Sequence, residues 1–193
     1  AGAIDIWELP VKITGAGTVV TIQNGDVCRA KKLIVDEGAT LRLEAGSTTF
    51  IEGAIEVAGT LQLGERFDIA DGNLVIKSSG RITDLDDSDG SSFSVDNMIN
   101  TTGEGRVYKE FAEGQIVANE MFFFPIGAML GIPQAPQYAP IRLSFPNGGA
   151  ASGNCRIGVR CVRGKQPENP SQENFLKCYW NVDNDGLDIN DTS

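Results

Sequence analysis

The chain contains no histidine. That removes Ser-His-Asp and Cys-His catalysis and histidine metal sites together, so any chemistry would rest on carboxylates, Lys, Tyr or Cys. Long apolar runs are missing too: none approaches the ~18 residues of a membrane-crossing helix. Basic residues are few, 16 against 26 acidic ones, and the net charge of −10 argues against nucleic acid as a partner, whose phosphates need a basic surface. It also disfavours docking on anionic membranes and predicts no membrane insertion. Aromatics are 7% of the chain and form no evident platform for sugar stacking. None of the four cysteines stands in a CxxC pair, which argues against a zinc or thioredoxin-type site. No stretch shows helical periodicity.

What is present is a repeat. Gly17-Thr18-Val19, Gly38-Ala39-Thr40-Leu41, Gly59-Thr60-Leu61 and Gly80-Arg81-Ile82 place glycine every 21 residues, and Ile13, Ile34, Ile55 and Ile76 keep the same step. Between them apolar residues alternate, as at Leu33/Val35, Leu41/Leu43, Ile55/Val57 and Leu61/Leu63. Period two means short strands with one buried face, and a fixed step near 20 residues is the signature of a stacked β-solenoid. A β-sandwich with regular hairpins is the competing reading. The predicted fold class is all-β: a short right-handed β-solenoid of about four coils of ~21 residues, followed by an antiparallel β-sandwich. Three regions follow from this: an N-terminal strand over 1–10, a solenoid over 11–95 and a sandwich over 100–193.

The expected sandwich strands are Gly105–Phe111, Met121–Gly127, Ile141–Phe145, Cys155–Val162 and Phe175–Trp180, with a Pro-rich loop over 131–137 and a turn at Asn147-Gly148-Gly149. Arg142, Arg156 and Arg160 are expected to pair with carboxylates on an exposed sheet face.

Two stretches invite a Ca²⁺ reading. Asp84 to Ser92 is acidic but fails the EF-hand spacing and reads as a solvated loop. Asn181, Asp183 and Asp185, followed by Gly186, match the start of a calcium loop, but position 12 is Thr192. A tight Asn/Asp/Gly turn is the simpler expectation there. No cofactor is expected otherwise.

Cys28, Cys155, Cys161 and Cys178 suit two disulfides in an oxidising compartment, or buried thiols. Cys155 and Cys161 share one strand and lie about 20 Å apart, so they cannot bond to each other. Cys178 would pair with one and Cys28 with the other, or Cys28 stays free. The first residues lack a charged region followed by an apolar core, as in a processed mature chain or an excised piece. The expected location is extracellular or cell-surface.

The run Leu33-Ile34-Val35-Asp36-Glu37-Gly38-Ala39-Thr40-Leu41-Arg42-Leu43, with Gly53-Ala54-Ile55-Glu56-Val57-Ala58-Gly59-Thr60-Leu61, resembles secreted Bacteroidetes surface proteins. Gly105–Phe111, Phe124-Pro125-Ile126-Gly127, Tyr138–Leu143 and Tyr179-Trp180-Asn181-Val182 follow in the order such proteins show. The resemblance implies a large adhesin-like or filament-like protein exported by type IX secretion. It supplies no catalytic residues, and the chain departs from it by stopping at Ser193 without a sorting domain.

A non-enzymatic structural or adhesive surface protein is therefore the first expectation, self-associating or joined to other surface proteins. Solenoid ends need covering. Ile4, Ile6 and Trp7 would either cap their own stack or add an edge strand to a neighbour after Trp180. The alternative is a carbohydrate-binding or carbohydrate-active module. Its catalytic form would use Asp36, Glu52, Glu56 and Asp68 with Arg42; its binding form would use exposed aromatics such as Trp7 or Tyr138.

Overall fold

The computed structural model describes residues 9–69, 72–85, 92–116, 120–130, 135–171, 173 and 175–188, and these form no helix. Three strands make each coil. β1 (Pro10–Ile13), β2 (Val19–Ile22) and β3 (Val27–Ala30) form the first; β4 (Lys32–Val35), β5 (Thr40–Leu43) and β6 (Thr48–Ile51) the second. β7 (Ile55–Val57), β8 (Thr60–Leu63) and β9 (Phe67–Ile69) form the third, giving a β-solenoid of about three turns. Each strand on the first two faces pairs in parallel with its counterpart one coil away. Leu33, Val35, Leu41, Leu43, Val57 and Leu61 point inward and are almost fully buried.

The glycine column marks one corner, just before the strands of the second face. Gly17 and Gly38 need left-handed backbone there (φ 80° and 76°). Gly59 and Gly80 need space instead, because a Cβ would overlap the Ala39 and Val57 carbonyls of the coil beneath. The isoleucine column does not hold. The stacked inward residues are Ile13, Val35, Val57 and Ile76, at steps of 22, 22 and 19 residues, and Ile34 faces outward. Unequal corners average to 21, so the isoleucine spacing mimics a register that the strands do not keep.

β10 (Leu74–Ile76) and β11 (Arg81–Asp84) continue the first two faces. β12 (Ile99–Thr101) pairs in parallel with β9. β13 (Val107–Glu110) stacks in parallel on β10. Sequence reading assigns residues from 100 to a sandwich of their own; the first of these strands instead extend solenoid sheets. The rest are antiparallel: β14 (Gly114–Ile116), β15 (Glu120–Phe124), β16 (Ile126–Leu130), β17 (Ala135–Tyr138), β18 (Ile141–Phe145), β19 (Gly149–Arg163) and β20 (Cys178–Asp188). Only β16 also makes a parallel pair, with β12. The expected Met121–Gly127 strand is two strands broken at Pro125, and the expected Pro-rich loop includes β17. One hydrophobic core runs from Ile13 to Leu187.

β19 has β13 and β14 along one side and β20 along the other. Among the described residues β1 pairs only with β4, and β14 and β20 pair only with β19, so each leaves one side of the largest sheet without a partner strand. Lys109 supports the join between the parallel and antiparallel halves. It is buried, and its ammonium donates to the Lys77 and Ser78 carbonyls at 2.9 Å and that of Gly80 at 3.3 Å, three acceptors of the corner after β10.

Candidate functional site

The third face of the solenoid is interrupted. β3 pairs with β6, and β9 pairs with β12, but β6 and β9 do not pair. The local cause is the corner. Four residues (44–47) lead into β6, but only three (64–66) into β9. One coil earlier the Gly25 amide donates to the Gly46 carbonyl at 3.0 Å. One coil later the Gly46 amide meets no backbone carbonyl; it donates to Glu65 Oε2 at 2.7 Å, while Glu65 Oε1 accepts from the Arg66 amide at 3.0 Å. A carboxylate thus stands where the next coil's backbone would be, and the two coils part.

The gap is a groove of about 580 Å³ lined by residues 46–52, Glu65, Arg66, Asp68 and Thr102. Thr48 and Glu52 donate their amides to the β3 side, so alternation turns the amide and carbonyl of Thr49 and Ile51 towards the gap. Phe67 and Ile69 bond the β12 side, which turns those of Asp68 the same way. Asp68 Oδ1 accepts from Asn100 Nδ2 at 2.7 Å. Arg66 Nε lies 3.4 Å from that oxygen, an ion-pair distance without hydrogen-bond geometry. Ser47 is 7% exposed and its hydroxyl has no partner. Phe50 is exposed on the rim, with the Arg29 guanidinium 5.4 Å from its ring centre.

The carboxylates considered from sequence do not converge. Glu52 and Asp68 share the groove. Asp36 pairs with Lys12 at 2.9 Å, at the end of the first face. Glu56, on that face, takes a hydrogen bond from Lys32, which with the ammonium charge holds its carboxyl below the usual range. Arg42 lies on the second face and donates to Gln62 Oε1 at 2.9 Å. Sequence reading missed Glu65, Arg66 and Ser47, since nothing in their types separates them from ordinary corner residues.

The Asn181–Gly186 stretch is not a tight turn. It lies within β20, where Asn181, Asp183 and Asp185 alternate along about 13 Å of strand and cannot surround one ion. Their partners differ as well: the Asn181 carbonyl accepts from Arg106, Asp183 accepts from the Tyr108 hydroxyl at 3.0 Å, and Asp185 pairs with Arg156 at 2.9 Å. Burial, with the Asp183 bond, pushes the Tyr108 phenol up. The turn chemistry survives as a local irregularity, with Gly186 at φ 84° and the Asn184 side chain clasping the Leu187 backbone. Among the described residues no group of three metal-ligating side chains occurs. Of the other acidic stretch, 86–91 lie outside the described residues.

All four cysteines are free thiols, the alternative to two disulfides. Cys155 and Cys161 lie on β19, and Cys28 is on β3 opposite Thr49 and makes no bond to that strand. Cys161 sits beside Cys178; burial, with this neighbour, pushes its thiol up to about 12. Arg156 and Arg160 pair with Asp185 and Glu104, whereas Arg142 lies over the Phe123 ring. Tyr138 is no platform, because its hydroxyl is buried. Ile4, Ile6 and Trp7 lie outside the described residues.

No protein-family model, curated protein or solved structure matches this chain.

Proposed function

We propose that this protein is a non-enzymatic structural or adhesive subunit of an extracellular surface, joined head to tail with the first coil of one copy meeting the β20 edge of the next. The observation that carries this reading is the asymmetry of those edges. At one end, among the described residues, β1, β2 and β3 each pair on one side only, and Leu9, Val19, Val20 and Val27 are exposed there. At the other, β20 pairs only with β19 and exposes Trp180 and Val182. Open edges with exposed apolar side chains are a template for adding strands, and different surfaces meeting head to tail give rings or linear polymers. β20 runs in the same direction as β1, so β1 of one copy beside β20 of the next continues the sheet in parallel. On this reading β10–β12 count as a fourth, irregular coil, and the antiparallel strands act as a sandwich-like platform that presents β20.

The dispersal of Asp36, Glu56 and Arg42 supports the non-enzymatic part. The resemblance to type IX-exported surface proteins supports the location. Mass photometry over a dilution series tests the assembly. The expected result is concentration-dependent oligomers that Val19→Lys/Val27→Lys abolishes without changing the fold. Monomers throughout the series, or oligomers indifferent to those substitutions, would overturn it.

A further inference from the structure

We propose that the groove between β6 and β9 binds a short, uncharged saccharide. This goes beyond the assembly reading and does not depend on it. A polar groove that belonged only to the fold would satisfy its own groups; this one does not. The buried Ser47 hydroxyl is unpartnered, Arg66 Nε has no hydrogen bond, and the main-chain groups of Thr49, Ile51 and Asp68 face the gap between two unpaired strands. Unmet buried polar groups are costly and mark a place where a polar ligand or water completes the bonding.

A sugar ring fits this inventory. Its hydroxyls both donate and accept within a small volume. The groove offers acceptors at Glu52 and Asp68, a donor at Arg66, and hydroxyls at Thr49 and Thr102. Phe50, 46% exposed at the rim, supplies an apolar surface for the C–H face of a ring. The volume, about 580 Å³, lies within the range of small-ligand sites, about 300–1,000 Å³.

Charge selects among sugars. Glu52, Glu65 and Asp68 outnumber Arg66, on a chain of net charge −10. An acidic sugar would be repelled, so the ligand is uncharged. A peptide strand fits less well. Only Thr49 and Ile51 on one side and Asp68 on the other offer main-chain groups, and the Glu65–Gly46 bond at 2.7 Å bridges one end of the gap. An extended strand needs a longer, open slot.

Labelled full-length protein is applied to an array of gluco-, manno-, galacto- and xylo-oligosaccharides, with hyaluronate and polygalacturonate fragments as acidic counterparts. The strongest uncharged binder is then titrated calorimetrically against variants. Phe50→Ala is expected to weaken binding about tenfold, and Asp68→Asn and Glu52→Gln to weaken it measurably. Glu56→Gln, on the first face, leaves it unchanged. Glu52 is exposed, so its substitution reads the groove even if Asp68→Asn disturbs the fold. Absence of binding to every uncharged oligosaccharide, a preference for the acidic ones, or equal affinity in Phe50→Ala and Glu52→Gln would overturn the proposal.

Discussion

Several side chains do work that their residue type alone does not announce. Tyr138 reads in the sequence as a surface aromatic, yet its hydroxyl is buried without a partner, and burial pushes the phenol up to about 12. The folded chain therefore keeps this group neutral where the unfolded chain, with a phenol near 10, ionises. Its contribution is fully present below pH ~10 and is lost as pH rises towards about 12. Tyr138→Phe is expected to move alkaline unfolding to higher pH and to leave stability at pH 7 unchanged or raised by about 1 kcal/mol. Urea titrations at both pH values check this, and a clear loss at pH 7 would show that the hydroxyl is bonded. Lys109 is a parallel case. It is a charged residue within a strand, and its ammonium turns back onto three corner carbonyls. What decides both residues is the path of a distant segment, which one-dimensional alternation does not encode.

At the scale of the element, corners rather than strands define this solenoid. The inward apolar residues and the glycine corner were legible from sequence, because period-two burial and close backbone approach restrict residue choice locally. The isoleucine column was not, since corner lengths vary and an outward Ile34 looks like an inward one. The same variation opens the groove, where a three-residue corner and the Glu65 carboxylate break the third-face ladder. The 178–188 strand was hidden for a related reason. Asn and Asp residues that favour turns are held extended by Arg156, Tyr108 and a partner strand of fifteen residues.

Two glycines separate the possible corner roles. Gly59 has no room for a Cβ, which would overlap the Ala39 and Asp36 carbonyls, whereas Gly25 has open space but φ 84°. Gly59→Ala is expected to cost about 3 kcal/mol or more. Gly25→Ala should cost about 1 kcal/mol, the left-handed penalty alone. Chemical denaturation of the two variants side by side reads the difference, and equal costs would mean that the corner at Gly59 yields.

At the scale of the molecule, a single core links a parallel stack to an antiparallel hairpin layer, and the largest sheet passes through both. Among the described residues its β1 and β20 edges, each paired on one side, differ in neighbours and in exposed side chains, which favours head-to-tail over face-to-face association. The measurement that tests this most directly is electron microscopy of the untagged protein at high concentration. Linear polymers, disrupted by Val19→Lys/Val27→Lys and by Val182→Lys at the opposite edge, are the expected result. Uniform single particles of one chain at every concentration would contradict it.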